Sequence, residues 1–320
     1  MTIKLDLRDR KILYELDINA RQSNSKIAKK IKVNPNFIRY RIENLEKREI
    51  INGYYSMIDF SKLGYFMVRT YVKLKNLFPK KEDELIEFIK SKDNIFWFAS
   101  IEGEWDIIIA ILVKSHKEFK QFWDNFESNF KSNVDSYNQA TLYEYIDYRK
   151  NYLIEKGDFL EPEISGTSQK INLDEKDLKL LSLIANNSRM PLLELGKELK
   201  LTSTAVIARI KNLERKKVIL GYRPIIDLNK LNYQYYKLDF ELEDIAIKKE
   251  LTQFVKFHPN MIYEDRTIGG SDFECDIEVE NHKKFLEIME SLENKYKEKI
   301  RKYKYYLAKK IHKISYVPAI

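Results

Sequence analysis

The chain has a single cysteine in 320 residues, Cys275, so no intrachain disulfide can brace it and no CxxC pair is available to hold zinc. Its four histidines, His116, His258, His282 and His312, are scattered, which leaves metal-ligand spacings without support. Long apolar runs are missing too. The longest, Ile107–Val113, falls far short of the roughly 20 residues that cross a bilayer. The opening MTIKLDLRDRK carries no apolar signal core, so the expectation is a soluble, cytoplasmic protein with no membrane partner. No phosphate loop, GxGxxG fingerprint or GxSxG elbow is found, and no spacing singles out a catalytic triad. No cofactor, metal or catalytic residue is expected. What is present is a 44% hydrophobic, 13% aromatic chain, enough for real cores, with a length that suggests two domains or more. The 57 Lys and Arg outweigh 49 Asp and Glu, giving a net charge of +8 that permits an anionic partner.

Sliding the chain against itself reveals an internal repeat. Leu5 to Tyr65 matches Leu173 to Tyr233 at a constant offset of 168 without a gap, with 22 identities in 61 pairs. They include Asp6/Asp174, Asp9/Asp177, Arg21/Arg189, Arg41/Arg209, Glu46/Glu214, Gly53/Gly221 and Tyr54/Tyr222. The match resumes at offset 166, pairing Gly103 with Gly269, Asp106 with Asp272 and His116 with His282. Between the copies, residues 155–170 (EKGDFLEPEISGTSQK) collect Gly, Pro and Ser and lose apolar periodicity, which reads as a linker. Charge follows the repeat: residues 1–65 carry +6 and 172–233 carry +5, while 66–171 carry −3 and 234–320 are neutral. The front third of each copy is therefore the part built to meet an anion.

In copy one, Asp6 suits an N-cap for a helix with Ile12, Leu13 and Leu16 on one face. Ser25 suits the cap of a short helix carrying Ile27 and Ile31, and Pro35 suits the first turn of a third helix with Ile38, Ile42 and Leu45 inward. Copy two repeats this with Leu180, Leu181 and Ile184, then Leu195 and Leu199, then Val206, Ile210 and Leu213 behind Thr202. Three helices with a tight turn before the last make a helix-turn-helix. The β-rich stretches that follow, IINGYYSMIDFSKLGY and VILGYRPIIDLNKLNY, are expected to form wings. A helix set in a major groove would present Asn36, Phe37, Arg39, Tyr40 and Glu43 outward. Arg39 has the fork to read guanine, Asn36 could read adenine, and Tyr40 or Lys47 could bind phosphate. Arg41 faces partly inward, where pairing with Asp9 competes with DNA contact. In copy two the matching positions are Ala205, Ile207 and Ala208, a nearly apolar face, while Arg209, Lys211, Arg215, Lys216 and Lys217 still supply positive charge.

As a joint pattern over about 60 residues, the LD..D..LL opening, the N..R before helix two, the R(I)..LE of helix three and the I..GY...ID...L stretch resemble the DNA-binding domain of the Lrp/AsnC (leucine-responsive regulatory protein/asparagine-synthetase regulator) family. The resemblance implies transcription regulation through double-stranded DNA, and a following βαββαβ domain that senses small effectors, often amino acids, and dimerises through its sheet. The residues support such a domain independently. Strands are expected at Phe66–Leu74, Ile95–Ile101, Trp105–Val113 and Ser136–Tyr148, with helices at Glu82–Lys90 and Lys117–Phe130, and copy two offers the same order. The fold class is therefore α+β: two winged helix-turn-helix domains (1–62 and 171–230), each followed by a ferredoxin-like domain (63–154 and 231–320).

IEGEWDI, with Gly103, Glu104 and Asp106, resembles the turn near which family members hold effectors, and TIGGSDFE places Gly269 and Asp272 likewise. The plainer reading is that these residues only close a hairpin. Two alternatives stay open. Siroheme decarboxylases resemble these regulators in architecture, but no cluster of basic or imidazole groups stands out. A protein acting only by pairing with other regulators would suit the apolar face of copy two, and the +6 of copy one argues against it. Pairing of the sensor domains within one chain, or between chains in a homodimer or higher oligomer, also stays open.

Overall fold

The computed structural model describes residues 5–154 and 160–316, so residues 155–159 of the expected linker lie outside the described residues. Copy one runs α1 (Leu7–Ile18), α2 (Asn24–Ile31), α3 (Pro35–Lys47), β1 (Ile51–Ile58), β2 (Phe66–Leu74), α4 (Pro79–Lys90), β3 (Ile95–Glu102), β4 (Ile107–Val113), α5 (His116–Phe130) and β5 (Val134–Asp147). A short β6 (Glu163–Ser165) follows. Copy two runs α6 (Glu175–Ala185), α7 (Leu192–Leu199), α8 (Ser203–Arg215), β7 (Ile219–Ile226), β8 (Gln234–Leu242), α9 (Lys248–Phe257), β9 (Met261–Ile268), β10 (Phe273–Val279), α10 (His282–Tyr296) and β11 (Ile300–Ile314).

Local chemistry sets the helix starts. The Asp6 and Asp174 carboxylates accept from the backbone N–H of Asp9 and Asp177, and Thr202 does the same for Ala205. Each such cap stabilises its helix by about 1 kcal/mol. The cap of α2 is Ser23, not Ser25: Ser23 has extended backbone and its hydroxyl oxygen accepts from Lys26 N, whereas Ser25 already lies inside the helix. The turns after α2 and α7 close on Lys32 and Lys200, both left-handed at φ 57° and 53°.

The stretch expected to close a wing within each copy does not do so. Each copy contributes one strand, and β1 pairs antiparallel with β7 across the repeat, with Tyr54 opposite Pro224 and Ser56 opposite Tyr222. A wing hairpin needs a second strand in the same unit, and the counterpart copy supplies it instead. The pairing is held by equivalent positions of the two copies, most of them identical. Ala20 N donates to Tyr222 O, and Ser188 N donates to Tyr54 O. Arg21 lies over the Tyr222 ring, whose hydroxyl donates to Glu214; Arg189 lies over the Tyr54 ring, whose hydroxyl donates to Glu46.

The remaining strands form two four-stranded antiparallel sheets of equal order, β5-β2-β4-β3 and β11-β8-β10-β9. They join at two seams, β3 with β11 and β5 with β9, so that eight strands close into a ring. The two α+β units thus pair within one chain. Ring closure leaves only the short β6 as an added edge. One face of each sheet is apolar and covered by helices: Val68, Phe98 and Ile109 lie against Phe122 and Phe126 of α5, and Leu238, Phe240 and Ile277 lie against Phe285 and Leu292 of α10. The other two faces look at each other. The segment read as a linker takes part in this body, since β6 pairs with Tyr145–Asp147 and Ser168 N donates to Ser61 Oγ.

Among the described residues no helix is long and apolar enough to cross a membrane.

Candidate nucleic-acid interface and internal cavity

Helix α3 starts on Asn34, whose side chain accepts from Asn36 N, with Pro35 in the first turn. Ile38, Ile42 and Leu45 are buried, which turns Asn36, Arg39, Tyr40, Glu43 and Lys47 to solvent. Among the described residues Arg39 is held only by Glu43, at 3.9 Å, with both side chains more than half exposed, so its fork is available. Tyr40 is 61% exposed, unusual for an aromatic ring with no covering partner element. Phe37, expected to face outward, is half-buried instead, between the guanidinium groups of Arg8 and Arg41 at 5.4 and 5.0 Å.

Arg41 is drawn into its own unit, 2.8 Å from Asp6 and 3.1 Å from Asp9 of the α1 start. Arg209 does the same with Asp174 and Asp177, at 2.7 and 2.6 Å, and its hydrogen bonds hold the Asp174 carboxyl below the usual carboxylate range. These forks tie the third helix to the first. On α8 the outward positions are Ile207, Ala208 and Lys211, followed by Arg215, Lys216 and Lys217, all exposed. Copy two keeps the positive charge but has Ile207 and Ala208 where α3 has Arg39 and Tyr40.

The two glycine-aspartate turns hold themselves together. Asp106 Oδ2 accepts from Leu74 N at 2.7 Å and its Oδ1 from Lys73 Nζ at 3.0 Å. Asp272 accepts from Leu242 N at 2.9 Å, the equivalent contact. Glu104 pairs with Lys304 at 2.7 Å. Gly103 has φ 150°, and a Cβ there would meet the Tyr306 ring at 2.9 Å; Gly269 has φ 84°. Both turns thus make the contacts of the plainer, hairpin-closing reading.

A concavity lies elsewhere, inside the ring beneath β1 and β7, with a volume of about 430 Å³. Trp97, Tyr145, Tyr235 and Tyr263 form an aromatic wall, with Trp97 and Tyr235 5.9 Å apart and Tyr145 and Tyr263 5.2 Å apart. Behind it sits a buried ionic group. Arg69 of β2 binds Glu274 of β10 with both guanidinium ends, and Lys237 of β8 lies 2.6 Å from Asp265 and 3.2 Å from Asp276. Tyr71 donates to Asp239 at 3.3 Å, and Lys150 pairs with Glu278 at 2.5 Å. Burial pushes the Asp239 carboxyl up to about 7 and that of Asp276 to about 6. Glu274, despite burial, is held below its ordinary value by Arg69 and Lys237. Sequence reasoning missed this group. Its signals were Arg69 and Lys237, which share one repeat position within apolar strands, and FECDIEV, whose acids alternate with apolar residues.

Among the described residues no His, Cys, Asp and Glu cluster could hold a metal ion.

The AsnC-type helix-turn-helix domain model matches residues 5–46 and 173–214. The HTH-type transcriptional regulator Ptr1 of Methanocaldococcus jannaschii is 29% identical over 121 residues, 37% of this chain and 78% of that protein. An uncharacterized HTH-type transcriptional regulator of Pyrococcus furiosus is 31% identical over 121 residues, 38% of this chain and 80% of that protein. In fold, the siroheme decarboxylase NirDL is similar over 96% of this chain and 92% of its own, with a TM-score of 0.65 and 13% identity.

Proposed function

The chain belongs to the Lrp/AsnC family of transcription regulators, and from that premise we propose that one chain does the work of a regulator dimer, with two unequal helix-turn-helix units on one asymmetric DNA site. In this reading each α+β unit is a ferredoxin-like sensor domain, and α3 reads sequence through Arg39 and Asn36, with Tyr40 and Lys47 on phosphate. Helix α8 holds the second half of the site through Lys211, Arg215 and their neighbours with little base readout. The observation that carries this is the symmetric exchange of β1 and β7, which fixes the two units as a pair while their exposed faces differ in kind.

Selection of binding sites from random duplex DNA by the purified chain tests it. The expected outcome is a site with one well-defined half and one degenerate half. Arg39→Ala should cost about 1–3 kcal/mol and relax preference in the defined half. Ile207→Ala should change neither. A palindromic site bound by one chain, or no binding at low salt, would sink the reading.

The full-length fold similarity to NirDL favours a second reading, tetrapyrrole decarboxylation. Against it stands the chemistry of the cavity wall. A polycarboxylated macrocycle calls for surplus cations, and the buried Arg69, Lys150 and Lys237 are already committed to acids. Incubating the chain with such a macrocycle and finding released carbon dioxide would revive it.

A further inference from the structure

We propose that the cavity inside the ring is an effector site for an organic amine, one ammonium group on an aromatic or apolar body, rather than for an amino acid or an acid. The argument begins with charge. Arg69 and Lys237 are buried together with four acids, Asp239, Asp265, Glu274 and Asp276, so the group is short of two positive charges when every acid is ionised. The other lysines at the cavity do not supply one: Lys150 is matched by Glu278, Lys313 donates to the carbonyls of Lys90 and Lys92, and Lys309 and Lys310 are exposed. Buried carboxylates without counter-charge are costly, and the upward displacement of Asp239 and Asp276 is the same deficit seen from the protein side. A cation entering the cavity would relieve it.

The acceptor for that cation lies in the cavity wall. Asp265 is 8% exposed; its Oδ2 takes Lys237, and its buried Oδ1 has no hydrogen-bond partner among the described residues. An ammonium donor answers that vacancy. Arg69 Nε also lacks a partner, but its guanidinium already lies over the Tyr71 ring at 4.4 Å and faces Glu274, so a carboxylate placed there would meet the acidic group at once. The walls supply the rest of the recognition. Trp97, Tyr145, Tyr235 and Tyr263 offer ring faces that attract a cation and cover an apolar body, and about 430 Å³ suits a small organic molecule.

The cavity also reaches the DNA-binding half of the molecule. Tyr55 of β1 and Pro224 of β7 line it, and these two strands pair the helix-turn-helix units. Occupancy would therefore bear on the spacing of α3 and α8. This regulatory consequence rests on the DNA-binding reading, while the binding site itself does not, and the two are measured separately.

The test uses the full chain without DNA, with phenethylamine, phenylalanine and 3-phenylpropionate as probes of one body carrying an amine, both groups or an acid. Titration calorimetry and thermal midpoint should show the amine binding at least tenfold tighter than the amino acid, with the acid silent. Asp265→Asn should weaken the amine tenfold or more. Since that variant also disturbs Lys237, Ala110→Leu gives a second reading: it fills the cavity from β4 without touching a charge and should abolish binding while the chain stays folded. Equal or tighter binding of the amino acid, binding of the acid, or no binding of the amine at millimolar concentration would overturn the site. Amine binding with no change in DNA affinity would overturn only the coupling.

Discussion

At the scale of single residues, identity between the repeats marks structural duty. Arg41 and Arg209, Asp9 and Asp177, Tyr54 and Tyr222 are kept in both copies, and each pair makes the same contact twice. Side chains exposed on both third helices are those that differ, Arg39 against Ile207 and Tyr40 against Ala208. Arg223 was not legible, because its repeat partner is Tyr55 and its acidic partners lie at least sixty positions away in the sequence. Yet it is almost fully buried, with Asp17 of α1 at 3.1 Å, Asp147 of β5 at 2.8 Å and Glu163 of β6 at 2.8 Å. Removing this cation leaves the buried Asp17 and Asp147 carboxylates without their guanidinium partner. Arg223→Ala should therefore destabilise the chain by roughly 3–5 kcal/mol, measured by denaturant unfolding. A change below 1 kcal/mol would show that water or Arg149 takes over its role.

Elements were readable in number and nearly in extent, because helix and strand periodicities are local properties. The expected Phe66–Leu74 strand matches the observed bounds, and Pro79 begins α4 three residues before the expected start. Two features escaped. The partner of β1 is 168 residues away, and no local pattern announces an exchanged strand. Strand β10 alternates like one with a wet face, yet all seven of its residues are buried. The helix-turn-helix turn gives the prediction at this scale. Gly196 in α7 sits so close to the next segment that an added Cβ would be 2.7 Å from Leu201 O, a backbone atom with little room to yield. Gly196→Ala should cost about 1–3 kcal/mol and loosen the second unit, seen as faster amide exchange in α7 and α8. Unchanged exchange would mean that the turn can shift freely.

For the whole molecule, the buried acids tie stability to pH. Burial raises Asp147 and Asp239 to about 7 and Asp276 to about 6, from ordinary values near 4. The folded chain then holds more protons than the unfolded one between about pH 4 and 7, so their stabilisation is lost as pH rises through that window. His258, pushed down to about 4 by burial, acts oppositely but only up to its unfolded value of about 6.5. The thermal midpoint should accordingly fall from pH 6.5 to 8, and Asp147→Asn should flatten that fall; an unchanged slope in the variant would clear Asp147 of the effect. By itself the sequence determined the repeat, the helices, the strands and the placing of excess positive charge on the front segments, since each is written in spacing or composition along the chain. Only the tertiary structure decided that the two α+β units pair within one chain, that β1 pairs with β7, and that Arg69 and Lys237 face four acids around a cavity. Those outcomes depend on which strand edges and polar faces meet, and the strands that meet across the two copies lie more than a hundred positions apart.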